Sequence, residues 1–93
     1  MDLTFSWDPT KDAANRKKHG VPFVEAMTAF ADPLSVTIPD PDHSTDEERF
    51  LLVGQSARGR LLVVAHAERA NQIRIISARP ATRRERHAYE EKA

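Results

Sequence analysis

The sequence predicts a small α+β fold in which an antiparallel sheet is packed by two N-terminal helices and one C-terminal helix. Three observations predict it. Helical apolar spacing is confined to the first third of the chain and to its end. Between them lies a run of alternating, β-branched segments. The links within that run are too short for parallel crossovers, which gives an antiparallel meander. The expected order is β-α-α-β-β-β-β-α, and helices grouped before a run of strands read as α+β.

Leu3 to Trp7 alternates Leu, Phe and Trp with Thr and Ser, a short strand. Asp8-Pro9 opens a helix, with an N-cap acceptor and a proline in the first turn. That helix runs as a polar segment to Lys18 and ends at His19-Gly20, a cation near the negative end of the dipole and a glycine beyond. After Pro22, Phe23, Ala26, Met27 and Phe30 recur at helical spacing, and Asp32-Pro33 stops the helix. Leu34, Val36 and Ile38 alternate with Ser35 and Thr37 as a half-buried strand. Pro39 to Asp46 is an acidic, turn-rich loop. Arg49–Gln55 is a strand, Ala57-Arg58-Gly59 a turn, and Leu61–Ala67 the most apolar and central strand. Arg69–Asn71 turns again, Gln72–Arg79 returns, and Thr82 with Glu85 forms a capping box that opens a last helix through Tyr89.

The 93 residues, 40% apolar, predict one domain over the whole chain, residues 1–93, with one core. A chain this size buries about two thirds of its unfolded surface. There is no cysteine, which removes a disulfide framework and any cysteine-based zinc site. The apolar stretches Phe50 to Val53 and Leu61 to Ala65 fall far below a membrane span, and Met1-Asp2 does not open an export signal. The expected location is the cytoplasm.

The net charge of zero conceals an asymmetry. From Asp32 to Glu48 there are six acids and no Lys or Arg. From Arg58 to Ala88 eight arginines stand against Glu68 and Glu85. The planar fork of Arg matches phosphate oxygens, so this half carries the footprint of a nucleic-acid ligand. The competing reading is that these arginines only solvate the sheet and pair with the acidic loop.

Period-two alternation puts Arg74, Ile76 and Ala78 on one face of the last strand, and Ile73, Ile75, Ser77 and Arg79 on the other. Arg79 ends that strand, and Arg83, Arg84 and Arg86 follow at the start of a helix, where cations oppose the dipole. Their placement points to an anion nearby. His66 shares a strand face with Leu62 and Val64, and Glu68 points the same way. The two read either as a proton-transfer pair beside a phosphate clamp or as a satisfied core histidine with a surface acid. His19, after Lys17-Lys18, caps a helix dipole or contacts phosphate. Trp7 packs as core in preference to stacking on a base. Tyr89 shares a helix face with Glu85 and has a hydroxyl to offer at the sheet edge. Asp40, Asp42, His43 and Asp46 match neither an EF-hand loop nor a tetrahedral zinc pattern, so no metal is assigned. A glycine-rich phosphate loop and a serine elbow are both missing.

The run Phe5-Ser6-Trp7-Asp8-Pro9-Thr10-Lys11, then Asn15, Lys18-His19-Gly20-Val21 and Phe23-x-Glu25-Ala26, carries a family resemblance. It continues through Asp32-Pro33, Glu48-Arg49, Gly54 and Arg74-Ile75-Ile76-Ser77-Ala78-Arg79, with Ala81-Thr82 and Glu85. Together, over nearly the whole chain, these resemble the BrnT family of type II toxins. One departure is Pro80, where the family often has a basic residue. The resemblance implies a RelE-like ribonuclease fold and a toxin that cleaves RNA and arrests translation and growth. It also implies an antitoxin of the BrnA kind, a ribbon-helix-helix protein that neutralises the toxin in an oligomeric complex and alone contacts operator DNA.

Residues and resemblance meet on metal-independent RNA cleavage, with no cofactor. The expected catalytic set is Arg79 as phosphate clamp, with Arg74 or Arg60 in support, and His66 with Glu68 for proton transfer. Lys18 and His19 form a competing set. The expected RNA contacts are Arg60, Lys18, His19, Arg83, Arg84 and Tyr89. Two other classes stand beside this one: a non-catalytic module that docks nucleic acid or protein, and a metal-dependent nuclease built on the Asp40–Asp46 loop.

Overall fold

The computed structural model describes residues 3–40 and 48–92. The first strand, β1 (Thr4–Ser6), runs into α1 (Pro9–His19). Asp8 caps α1 by accepting from the Thr10 N–H at 2.8 Å, and Gly20 closes it in the left-handed region at φ 72°. A second helix, α2 (Phe23–Thr28), tightens into a 3-10 turn over Ala29–Ala31. The strands β2 (Val36–Pro39), β3 (Arg49–Gln55), β4 (Leu61–Arg69) and β5 (Gln72–Pro80) follow, and α3 (Arg83–Lys92) ends the described chain.

Boundaries depart from the sequence-based expectation where side chains take over backbone groups. β2 starts two residues late because Asp32 Oδ1 accepts the Leu34 N–H at 2.9 Å, which holds Pro33 and Leu34 in a turn. β4 and β5 run on to a two-residue turn, Ala70–Asn71, with Ala70 in the left-handed region at φ 56°. The helix begun by the capping box extends past Tyr89 to Lys92. Asp42, His43 and Asp46 lie outside the described residues.

The sheet order is β1-β5-β4-β3-β2. The meander β2 to β5 is antiparallel as expected. β1 joins the edge beside β5 in parallel, so the sheet is mixed. Helices α1 and α2 cover one face. Val21, Phe23, Ala26 and Ala29 there bury against Leu52, Leu62, Val64, Ile75 and Ala78. Trp7 meets Phe23 edge-on at 6.2 Å and serves as core. The buried Asn15 extends the sheet by side chain. Its amide donates to the Ala78 and Val21 carbonyls, each at 2.8 Å, and its oxygen accepts from the Ala78 N–H at 3.1 Å. Backbone groups of β5 beyond the reach of β1 are thereby satisfied. None of the described helices is long and apolar enough to cross a membrane.

One feature of β5 decides which side chains share a face. Ala65 pairs with Ser77, but His66 pairs with Ile75, so Ile76 is an extra residue, a β-bulge. Alternation changes phase there. Ile73, Ile75 and Ala78 all reach the helix-covered core, and Arg74, Ser77 and Arg79 all turn to the opposite face. The simple alternation that put Arg74 and Arg79 on opposite faces is corrected by this bulge.

Gly54 is required for a different reason, close approach. A Cβ there would lie 2.8 Å from the Ala29 carbonyl oxygen and 3.1 Å from both Leu52 Cδ2 and Ser35 Cβ. Gly54→Ala is expected to cost about 1–3 kcal/mol by overpacking, read as a lower urea midpoint. An unchanged midpoint would mean that the 3-10 turn moves aside freely.

Candidate nucleic-acid interface

The face opposite α1 and α2 is where the cations of the sheet emerge. At the end where β4 leads into the Ala70–Asn71 turn, the register aligns Arg49, Ala67, Arg74 and Ser6 in one row across β3, β4, β5 and β1. Arg49 and Arg74 stand two strands apart, about 10 Å between backbones. Between them the small Ala67 leaves room. A cleft of about 590 Å³ opens here, lined by Ser6, Glu48, Ala67, Glu68, Arg69, Gln72 and Arg74. Guanidinium groups of Arg69 and Arg74 and carboxylates of Glu48 and Glu68 face one another around it. Both Arg49 and Arg74 also keep neighbouring partners.

His66 is fully buried and does not reach this cleft. Its ring stacks on Phe50 at 5.8 Å and meets Phe30 edge-on at 4.8 Å. A carboxylate can only accept, so Nε2 carries the proton and donates to Glu68 Oε2 at 2.8 Å. His66, expected to exchange protons with substrate, is buried between two phenyl rings, with Nδ1 3.4 Å from the Val64 carbonyl and Nε2 on Glu68. The Glu68 side chain is 43% exposed and lies at the rim of the cleft.

Arg79 lies on the same face as Arg74, about 13 Å further along the sheet, counted by the four residues from Val63 to Ala67 that pair with them. It grips Glu85 in a bidentate pair, Nη1 to Oε1 at 2.8 Å and Nη2 to Oε2 at 2.9 Å. Glu85 also accepts from the Thr82 N–H, and its own N–H donates to Thr82 Oγ1, which completes the capping box. The Arg79 guanidinium holds the Glu85 carboxyl at about 2, against the opposing effect of burial. So Arg79 ties the start of α3 to β5, and its charge is matched locally.

Arg60 is on the other side of the molecule. It donates to the buried Glu25 through Nε at 2.9 Å and Nη2 at 2.5 Å, and through Nη2 to the Gly20 carbonyl at 3.0 Å. Hydrogen bonding to Arg60 lowers the Glu25 carboxyl below its usual range despite burial, with Ser56 adding to the effect. Arg60 pins the β3–β4 hairpin to α1 and α2 and cannot support Arg79 or Arg74. The expected convergence of Arg79, Arg74, Arg60, His66 and Glu68 on one point is thus not found. Arg74 and Glu68 share a cleft, His66 stands behind Glu68, and Arg79 and Arg60 are occupied elsewhere.

The expected RNA contacts fare differently. Lys18 and His19 at the end of α1, Arg60, and Arg83 and Arg84 at the start of α3 all lie near the beginning of β4. Arg60 bonds Gly20 on one side, and the Ala81 N–H donates to the Leu61 carbonyl at 2.9 Å on the other. Tyr89 is committed to the fold: its hydroxyl donates to Asp32 Oδ2 at 2.5 Å and its own pKa rises to about 12. Burial pushes the Asp32 carboxyl up, but hydrogen bonds from Tyr89 and from the Gln55 and Leu34 N–H groups outweigh it and leave the pKa lowered.

Arg69, Glu48, Ser6 and Gln72 are cleft residues that sequence reasoning did not select, and Arg49 stands beside the cleft in the row of Ala67 and Arg74. A signal existed for Ser6, Glu48 and Arg49, which are among the residues that carry the family resemblance. No curated protein matches the sequence. In fold, the chain is similar to the 1.1 Å crystal structure of the Brucella abortus ribonuclease toxin BrnT, with a TM-score of 0.67 and 19% identity over 87% of this chain and 99% of that one. Residues 7–85 match the family described as the ribonuclease toxin BrnT of type II toxin-antitoxin systems. That match takes in α1, α2, the strands from β2 to β5 and the capping box of α3, and by it the chain belongs to the BrnT family of ribonuclease toxins.

Proposed function

We propose that this chain is the toxin of a cytoplasmic toxin–antitoxin pair and cleaves RNA without a metal, using the ribose 2′-hydroxyl as nucleophile. The observation that carries the reading is the cleft lined by Ala67, Arg69 and Arg74, with Glu68 at its rim and Arg49 beside it in the row of Ala67 and Arg74. Arg74, with Arg49 and Arg69, holds the phosphate and the charge that builds on it. Glu68 takes the 2′-hydroxyl proton, and the buried His66 is a positioning residue that fixes its carboxylate. The 2′-oxygen bonds to phosphorus as the bond to the 5′-oxygen breaks; the 5′-oxygen keeps the bonding pair and takes a proton from water, which leaves a 2′,3′-cyclic phosphate on one product and a 5′-hydroxyl on the other. Arrest of translation and growth follows from loss of RNA. The family likeness supports an antitoxin partner, and we assign it as a BrnA-like ribbon-helix-helix protein in an oligomeric complex.

The test is RNA incubated with the purified protein and a chelator, with the product ends analysed. Cleavage that survives chelation and leaves cyclic phosphates is expected. RNA bound but intact would make the chain a docking module, and activity silenced by the chelator would make it a metal-dependent nuclease.

A further inference from the structure

The cleft is not the only basic surface. At the opposite end of β4, roughly 26 Å away by the length of that strand, three elements bring cations together. The last turn of α1 carries Lys17 and Lys18, the β3–β4 hairpin carries Arg58 and Arg60, and the first turn of α3 carries Arg83 and Arg84. Bonds from Arg60 to the Gly20 carbonyl and from the Ala81 N–H to the Leu61 carbonyl join the three into one belt. The carboxylates packed here are occupied: Glu25 by Arg60 and Glu85 by Arg79. Among the described residues no carboxylate pairs with Lys17, Lys18, Arg83 or Arg84. Dipole compensation explains the lysines at a helix C-terminus, but Arg83 and Arg84 face the wrong end of α3. Their position is unfavourable until an anion arrives.

We infer that this belt is a second RNA-backbone site, which holds the phosphates of a long RNA while the cleft at the far end of β4 acts on it. The inference rests on the proposed RNA cleavage and makes RNA long enough to span both surfaces the favoured substrate, held more tightly than a fragment that reaches the cleft alone. The molecule measures 32 × 29 × 27 Å, so the two surfaces are nearly a full protein width apart. The chemistry favours a phosphate backbone over an acidic protein. Exposed positions of α1 are Pro9, Thr10, Lys11, Ala13, Ala14, Arg16, Lys17 and Lys18, with no large apolar side chain to form the desolvated centre of a protein interface. Phosphate contacts need only the cations.

The experiment compares wild type with the double variant Lys17→Gln/Arg58→Gln, two exposed positions, at a temperature where melting curves show both proteins folded, because Arg58 also lies 3.8 Å from Glu25. Binding is read on a long single-stranded RNA carrying 2′-O-methyl groups, which block cleavage, and activity on an unmodified trinucleotide too short to reach the belt. The variant is expected to bind the long RNA about tenfold more weakly at low salt. The slope of log affinity against log salt is expected to shrink by about 0.7 per lost phosphate contact. Trinucleotide cleavage is expected to stay unchanged. Equal long-RNA affinity and slope in the two proteins would overturn the belt and leave the cleavage reading standing. A parallel loss of trinucleotide cleavage would also overturn it, by making these cations part of the cleft's own field. So would a loss confined to the binding of an acidic protein. A wild type that neither binds nor cleaves either RNA would remove the cleavage reading itself.

Discussion

Arg74→Ala lowers the rate of RNA cleavage by ~100-fold or more, the expected effect of deleting one donor aimed at developing phosphate charge. Arg74 sits mid-row between Ala67 and Ser6, at the wall of the cleft, and half-exposed. Removing it takes a guanidinium from the cleft without opening the core, because the neighbours that share its strand face toward the helices are Ile73 and Ile75. Single-turnover cleavage with an unmodified RNA checks this, with a urea curve to show that folding is intact. Arg79→Ala is the informative companion. It breaks a bidentate pair that anchors α3, so its stability falls along with any change in rate. Full activity in Arg74→Ala, together with a dead but equally stable Arg79→Ala, would return the phosphate clamp to Arg79.

Local signals were legible along most of the chain. Asp8-Pro9, His19-Gly20 and Thr82-x-x-Glu85 are helix boundaries whose chemistry acts within a few residues, and the structure uses each as read. The meander was legible because its strands are joined by short turns. The site was not, because its geometry depends on the single extra residue Ile76. Nothing in Arg74-Ile75-Ile76-Ser77 announces a bulge: four residues of strand-forming or neutral type alternate acceptably in either phase. With the phase lost, simple alternation sets Arg74 and Arg79 on opposite faces and puts Arg79 on the face of His66. The place of Arg49 was hidden for a related reason. It is one basic residue at the start of a strand until the register sets it beside Ala67 and, one strand on, Arg74. Long-range pairing likewise hides from the sequence that Arg60 is matched by Glu25 in α2, whereas Arg79 is matched by Glu85 in the first turn of α3.

Glu25→Ala is expected to lower stability by about 2 kcal/mol. The carboxylate is buried in α2 and accepts from Arg60 twice and from Ser56 Oγ at 2.8 Å, with Arg58 3.8 Å away. Breaking a buried pair by removing one partner costs about 3–5 kcal/mol, and the partial exposure of Arg60, 37% of its side chain, reduces that figure. The Ser56 hydroxyl loses its acceptor as well. A urea curve should show a lower midpoint at unchanged slope, since the amount of surface exposed on unfolding hardly changes. Acid gives an independent check. Glu25, Asp32 and Glu85 all hold their protons less tightly in the folded chain than free carboxyls do, Glu85 down to about 2 from an ordinary 4.5. A folded-state pKa below the unfolded one contributes stability that is fully present above the unfolded value and is lost as pH falls through the folded value. Wild-type stability should therefore decline from about pH 4.5 toward pH 2, and the decline should be shallower in Glu25→Ala, which has one fewer carboxylate to protonate. An alanine variant with wild-type midpoint and an unaltered acid limb would mean that Arg60 finds equal support from the Gly20 carbonyl and water, and that the hairpin is not held to α2 through Glu25.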